Sequence, residues 1–479
     1  MSGMNNTKRN GGRRHRIITT DHRYREGVSV MTDTSAGGPP QLPVTRTREF
    51  WPLMGYSIVL GVFGAFFSLA FLLVIGKGGK WYMTSSDTWW GGHWWWVAVT
   101  AAAGVVVGLL RNWTKLPGKT PSLIDDLHAA HVEPSVVPGI LAVSAISLIG
   151  GASLGPEQAL GTAGGWAGGW IARRRGLNTD DSKVNTLAGS SGAYGGLFSA
   201  ALIVVAFIVE VASPGGRLYR KVLPATIIAG TVSFAIYYSI AGTVFLDKYA
   251  VPPVAYHDWE LAAGVGFGLL AAILVLVLGI FMTASSTLFS RLKLPNFVKS
   301  TIGGVLFGVV GVALPLTMFN GSDQLEVVVS HGSALGFTLL AVLVLAKMFT
   351  FSVSVGSGFV GGPIFPSLFI GGTAGVAVHV LFPAVPLGLV FPCLLVAVLG
   401  ALVAAPFSLV LMAVFLTRLG ALQTAPVLLA VITAFLTVEG IRFLLALRKT
   451  RAQETVGDKP GGGRVETRAV TEEPGPSTG

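Results

Sequence analysis

Charge is the scarcest commodity in this chain. Only 12% of its 479 residues are charged, against roughly 25% in ordinary soluble domains. A string of water-exposed domains is therefore excluded, although the length would suit about three of them. The single cysteine, Cys393, lies in an apolar run, which excludes an intrachain disulfide and argues against a cysteine metal cluster or redox chemistry. An enzyme would need a nucleophile with its base, or a metal set. No His-Glu-x-x-His sequence occurs, and His93 has no metal-ligand partner at suitable spacing. Enzyme is the weakest reading, and no cofactor is implied. Residues 1–45 lack a long apolar run, so they are not a secretory signal peptide.

What is abundant is apolar sequence and glycine: 52% of residues are hydrophobic and 63 are glycine. Apolar stretches recur from Phe50 to Leu447, near 52–75, 93–110, 138–153, 189–211, 222–242, 259–284, 299–318, 334–353, 387–415 and 425–447. Several depart from the roughly 20 residues of a straight bilayer span, which predicts tilted and re-entrant helices in one large membrane domain. The net charge of +11 does not point to nucleic acid, because of where it sits. Lys8, Arg9, Arg13, Arg14, Arg16, Arg23 and Arg25 crowd the start; Arg442, Arg448, Lys449 and Arg451 follow the last apolar segment. The positive-inside bias places both ends in the cytoplasm. Residues 1–48 read as a disordered basic tail, either solvated or touching anionic membrane lipid. Residues 448–479, rich in Gly, Pro, Thr and Glu, read as a second disordered tail. Trp81, Trp89, Trp90, Trp94, Trp95 and Trp96 crowd one short segment and mark the external rim of the membrane.

Two glycine-rich breaks interrupt the apolar pattern: Gly151-Ala-Ser-Leu-Gly-Pro-Glu157 and Gly356-Ser-Gly-Phe-Val-Gly-Gly-Pro-Ile-Phe-Pro366. Each is followed by the same tetrapeptide, Gly161-Thr-Ala-Gly164 and Gly372-Thr-Ala-Gly375. Two related halves, each with one broken helix, are a pointer to a transport site. Irregular backbone at membrane depth survives only inside protein or along a polar cavity, and the amides at a helix start attract anions. Gly155 permits a tight turn, Pro156 suits a first helical turn because it has no N–H to leave unpaired, and Glu157 places a carboxylate at the positive helix end. Glu157 either caps its helix or competes with a permeating anion for the same amides. A carboxylate at this depth is costly and usually functional.

With these residues in view, the chain from about Phe50 to Leu447 resembles the CLC family of chloride channels and proton-coupled chloride antiporters. Gly155-Pro-Glu-Gln-Ala159 is similar to the family motif whose glutamate gates the pore and accepts protons, with Gly164 and Gly168 on the family spacing. Pro156 replaces a basic residue. Gly362-Pro363-Ile364-Phe365-Pro366, approached by Ser357 to Gly362, resembles the family's Gly-x-Phe-x-Pro motif, whose amides coordinate the anion. Pro363 has no N–H to donate, so either the register shifts to Ile364 and Phe365 or backbone contacts are fewer. The resemblance implies an all-α membrane protein with a CLC-like inverted repeat of tilted and re-entrant helices. It divides residues 49–447 into halves at about 49–245 and 255–447, and implies a homodimer with one pore per subunit. Gly192 to Leu202 with Phe207 to Glu210, and Ala404 to Phe415, are the matching parts of the two repeats.

Three departures from the family and one match bear on mechanism. Its inner pore serine is absent: Pro117-Gly-Lys-Thr-Pro121 stands there, with Gly118 or Pro117 in the serine's place and Lys119 or Thr120 as substitute donors. Where antiporters have a second acidic residue, this chain reads Glu210-Val211, which favours a passive channel over a proton-coupled antiporter. Glu210 is then a proton relay or a structural helix-end residue. Lys347 matches a basic position near the external entrance and either attracts anions or snorkels from a helix end. Phe443 is the nearest candidate for the inner tyrosine and lacks its hydroxyl. The expectation is transport of chloride or a similar small anion, with a secondary transporter of another solute as the alternative class.

Overall fold

Backbone surrounded by lipid has to satisfy its own hydrogen bonds, and this chain does so as helix. A computed structural model describes residues 49–83, 92–118 and 120–457. In order they form α1 (Phe50–Met83), α2 (Trp95–Trp113), α3 (Leu123–Ala129), α4 (Val137–Ile149), α5 (Glu157–Arg175), α6 (Thr179–Leu197), α7 (Ala201–Ala212) and α8 (Gly216–Ala241). There follow α9 (Trp259–Arg291), α10 (Asn296–Ala313), a short 3-10 turn (Pro315–Thr317), α11 (Ser322–Gly356), α12 (Ile364–Leu381), α13 (Leu387–Gly400), α14 (Pro406–Thr417) and α15 (Thr424–Gly457). Among the described residues, eight helices are long and apolar enough to cross a bilayer, and α4, α7, α13 and α14 are shorter apolar helices. This is the all-α membrane architecture expected, with short helices between long ones.

The order of elements repeats. Two long helices (α1 and α2; α9 and α10) precede a helix that leads into a break (α4; α11), a helix that leaves it (α5; α12), a buried helix (α6; α13), a 12-residue helix (α7; α14) and a final long one (α8; α15). Helix α11 is two helices joined at a kink, so its first part stands where α3 does and its second where α4 does. The two series interlock where α2 lies against α10 and α7 against α14, and within the second series α9 packs on α11, α13 and α15.

Several boundaries differ from the hydropathy pattern, each for a local reason. The expected segment 189–211 holds the end of α6 and all of α7, separated by a reversal at Ser199, whose φ is 49°. The segment 387–415 likewise holds α13 and α14. Neither turn contains a charge, so hydropathy runs through both. Helix α5 is rich in glycine and therefore weakly apolar, and it had not been marked as a span; α12 had been read only as the exit from a break. Helix α11 bends at His331 and Gly336, where φ is −120° and 72°. Helix α15 continues past Leu447 to Gly457, into the first residues of the expected tail. Residues 1–48 and 458–479 lie outside the described residues, as do the side chains of Trp81, Trp89 and Trp90. Trp94 and Trp95 are exposed, whereas Trp96 is buried against Val312 and Met318.

Small residues hold the centre together. A Cβ built on Gly164 of α5 would lie 2.2 Å from the carbonyl oxygen of Gly189 in α6, and one on Gly189 would lie 2.1 Å from that of Gly164. The two backbones therefore touch, the close approach that small residues permit between membrane helices. Gly164→Val is expected to separate α5 from α6 and to cost about 1–3 kcal/mol or more. A lowered midpoint in thermal unfolding of the detergent-solubilised protein would register it, and an unchanged midpoint would show that the contact is dispensable.

Candidate functional site

The two breaks meet. Gly155 N–H donates to the Gly362 carbonyl at 2.9 Å, and Gly362 N–H donates to the Gly155 carbonyl at 2.8 Å, a two-bond antiparallel bridge between residues 207 positions apart in sequence. Further bonds join the same strips of chain. Val360 N–H donates to Ser147 Oγ at 3.1 Å, Ser153 N–H to Ser354 Oγ at 3.3 Å, and Phe319 N–H to the Gly151 carbonyl at 3.1 Å. Unsatisfied backbone buried at this depth costs several kcal/mol per group, so each half supplies the partners the other lacks.

Beyond the bridge, α5 and α12 begin side by side, each after a Gly-Pro pair. Pro156 and Pro363 are their N-cap residues. Glu157 is the first residue of α5, fully buried, and its side chain reaches across to the other helix: Oε1 accepts from Ile364 N–H at 2.5 Å. The amides of Glu157 itself and Phe365 also face the carboxyl. Its Oε2 makes no hydrogen bond among the described residues. Both bridge glycines are needed for this pose. A Cβ on Gly155 would sit 1.9 Å from Glu157 Oε2, and one on Gly362 would sit 2.3 Å from the carboxyl carbon. Glu157 is thus threaded between two bare backbones.

This arrangement corrects one expectation. The amides of Gly155 and Gly362 are not anion donors, because each is spent on the other's carbonyl, and Pro156 has no N–H to offer. The donors left at the junction are those of Glu157, Ile364 and Phe365. Phe365 is itself held by Phe198 and Phe245, with ring centroids 6.1 and 5.1 Å away.

The remaining candidates fall in several places. Glu210, near the end of α7, accepts from Phe407 N–H at 2.8 Å and Ser408 N–H at 2.7 Å. Both its oxygens cap the start of α14, the helix-end role. Lys347 is fully buried, and its ammonium donates to the carbonyls of Thr317, Met318 and Phe319 at 3.0, 3.4 and 2.8 Å, over the ring of Phe369. Its hydrogens are committed to the 3-10 turn that leads into α11, and Phe319 carries that grip on to Gly151. Phe443 is 64% exposed on the outer face of α15 and does not reach the junction. The family resemblance had suggested an inner position, but its place on α15 leaves it exposed. Lys119 lies outside the described residues. Gly118 turns its carbonyl toward Arg111, which donates to the carbonyls of Pro117, Gly118 and Gly358 at 2.7, 3.2 and 3.0 Å. Thr120 is half-buried, and the loop it belongs to touches α5 through Pro121, whose carbonyl accepts from Gln158 Nε2 at 3.2 Å.

Three of these participants escaped the sequence reading. Arg111 binds both the inner loop and the second break; its signal is a lone arginine in the last turn of an apolar helix. Tyr194 donates its hydroxyl to the Glu157 carbonyl at 3.1 Å from within α6, a tyrosine set in a glycine run. Gln158 links the inner loop to α5. In addition, Gly151-Ala-Ser-Leu-Gly155 spells the letters of a Gly-x-Ser-x-Gly nucleophile elbow. Ser153 is buried there, however, and its hydroxyl makes no hydrogen bond among the described residues, so no base activates it.

The threading of Glu157 can be tested directly. Gly362→Ala keeps the bridging N–H and carbonyl but adds the colliding methyl. The expected result is a Glu157 side chain displaced from Ile364 N–H in a high-resolution cryo-EM map, while Gly155→Ala produces the same displacement from the other side. A carboxyl that stays in place in both variants would refute the close approach.

The family model described as voltage gated chloride channel matches residues 102–439. Relatives include the putative ion-transport protein YfeO of Salmonella choleraesuis (strain SC-B67), 28% identical over 313 residues that cover 62% of this chain and 71% of the relative. The same protein of Salmonella schwarzengrund (strain CVM19633) is 28% identical over 317 residues, with the same coverage. Among solved structures, the fold is similar to that of a slow cyanobacterial Cl−/H+ antiporter, with a TM-score of 0.70 at 19% identity over 85% of this chain and 99% of the other. It is also similar to that of a CLC-type fluoride/proton antiporter, with a TM-score of 0.68 at 16% identity over 81% and 96%. With a matched region that takes in both breaks and most of the helices, the chain belongs to the voltage gated chloride channel family and is an integral membrane protein.

Proposed function

We propose that the protein exchanges a small inorganic anion, chloride or a similar halide, for protons across its membrane, with Glu157 as both gate and proton acceptor. The observation that carries this reading is the Glu157 carboxylate seated on the Ile364 amide, in the place a permeant anion would take. Anion and carboxylate cannot both hold that donor. Adding a proton to Glu157 removes its negative charge and weakens its claim on the N–H, since hydrogen bonds to charged groups are the stronger kind; the anion then enters.

Two solved neighbours described as proton-coupled antiporters support exchange over passive conduction. The channel expectation rested on Val211, an apolar buried residue one position beyond Glu210, and that observation keeps the channel as the second reading. The cytoplasmic placement of both ends, from the basic residues flanking the membrane domain, belongs to this proposal. So does a homodimer, supported by family resemblance and by the apolar side chains Leu202 and Phe407 left exposed on α7 and α14.

The test is reconstitution of wild type and Glu157→Gln into liposomes, with chloride efflux and proton movement recorded together. Wild type is expected to drive protons uphill on a chloride gradient, and Glu157→Gln to lose all proton movement while retaining chloride flux. Chloride flux without proton movement in the wild type would favour the channel. Unaltered coupling in Glu157→Gln would remove Glu157 from the mechanism.

A further inference from the structure

Exchange needs a second protonatable group between Glu157 and the water on the far side, and the obvious residues do not serve. Val211 carries no proton, and Glu210 spends both oxygens on the start of α14. The short helix α3 offers another. Its N-terminus is closed by a capping box: Asp125 N–H donates to Ser122 Oγ, and Ser122 N–H donates to Asp125 Oδ2, both at 3.2 Å. Asp125 thus has a structural task. Asp126, one residue on, is absent from the box and is half-buried, on a helix that packs against α5 and α7.

There it lies close enough to the Thr162 hydroxyl of α5 for that group to favour its charged form. Thr162 Oγ1 in turn accepts from Gln158 Nε2 at 3.4 Å, and the same amide nitrogen holds the Pro121 carbonyl. Thr162 is five residues beyond Glu157 on α5, or about 7.5 Å along the helix axis. Tyr194 fills the interval: its hydroxyl bonds to the Glu157 carbonyl, and its ring lies within the electrostatic reach of both Glu157 and Asp126. Gly161 makes room for it. A Cβ there would sit 1.9 Å from the Tyr194 hydroxyl and 3.0 Å from Leu123 of α3.

Resting on the antiport reading, we propose that Asp126 is the inner proton acceptor, passing protons to Glu157 past Thr162 and Tyr194. In each transfer the O–H bond on Asp126 breaks and one forms on the Glu157 carboxylate, and Asp126 returns to its charged form to load again. Helix α3 follows α1 and α2, which cross the membrane and return. It therefore faces the side on which α1 begins, opposite the side where Glu157 must exchange its proton.

The electrostatic setting suits a carrier. Burial, then the neighbouring Asp125, push the Asp126 carboxyl up to about 7, against the Thr162 hydroxyl, which pulls it down. The charged or titratable groups that face it are Asp125 on α3, Tyr194 on α6 and Glu157 at the start of α5. Helix α7, also packed on α3, has Glu210 as its one ionisable residue, committed elsewhere.

The experiment compares wild type, Asp126→Asn, Asp126→Glu and Thr162→Val in liposomes carrying chloride or fluoride gradients, with anion and proton fluxes recorded together. Asp126→Asn is expected to retain anion flux within about threefold of wild type and to lose at least tenfold of its proton flux. Asp126→Glu should restore coupling, and Thr162→Val should slow protons more than anions. Wild-type proton flux should fall as the pH on the α3 side rises through about 7, and Asp126→Asn should lack that dependence. Normal coupling in Asp126→Asn beside a coupled wild type overturns the role of Asp126 alone. A wild type that moves no protons overturns the antiport reading and this inference with it. Loss of both fluxes in Asp126→Asn, without rescue by Asp126→Glu, marks a structural residue and overturns the inference as well.

Discussion

Helices cannot be broken in mid-membrane without a destination for the freed N–H and carbonyl groups, and here that destination is the other break. The Gly155–Gly362 bridge satisfies four such groups with two bonds. Each net hydrogen bond contributes only about 0.5–1.5 kcal/mol, but a buried group left unpaired costs about 1–3 kcal/mol. The penalty for separation therefore exceeds the gain from contact, and neither half can hold its break open alone. Once the bridge forms, the starts of α5 and α12 are fixed within a few ångströms of each other. Glu157 can then lie on an amide that belongs to the opposite half.

The Gly-Pro pair on each side serves this geometry in two ways. Glycine lets the backbones and the carboxyl pass without collision, and proline begins a helix without an orphan N–H. The two halves then differ at the first helical position: after the pair, α5 presents Glu157 and α12 presents Ile364. One half contributes a negative side chain, the other a bare donor. A near-symmetric scaffold thereby acquires a single directed interaction, and that asymmetry makes it chemically useful. Lys347 and Arg111 work at the margins of the same scaffold. Each neutralises a cluster of carbonyls at a chain reversal, so their charges support the loops around the junction.

Much of this was legible in the sequence, and what was not had physical reasons. Glycine-rich interruptions in apolar sequence are visible because membranes tolerate them so rarely, so both breaks and Glu157 stood out. The loss of the Gly155 and Gly362 amides to each other was not visible, because it depends on a partner 207 residues away in the chain. The paired helices within 189–211 and 387–415 were fused because reversals such as the one at Ser199 are made from apolar and small residues. Lys347 and Glu210 were recognised as intramembrane charges, but whether such a group meets an ion, a carbonyl or a helix start is decided by tertiary packing. Phe443 illustrates the converse. The family resemblance suggested an inner position, and its side chain is instead exposed on α15.

Competition at one donor also limits how strongly either competitor can bind. On the proposed reading, a carboxylate and an anion alternate on the Ile364 amide, and each must leave for the other to arrive. A hydrogen bond to a charged group contributes about 1.5–3 kcal/mol, equivalent to roughly a ten- to hundredfold change in occupancy. Adding donors would deepen both wells, and turnover would slow as release became costly. The two prolines withhold N–H groups, and the bridge consumes the two glycine amides beside them. The junction is left with few donors, at Glu157, Ile364 and Phe365. A site so sparsely furnished holds its ligand weakly enough to release it, and a single proton on Glu157 then suffices to decide which of the two competitors is bound.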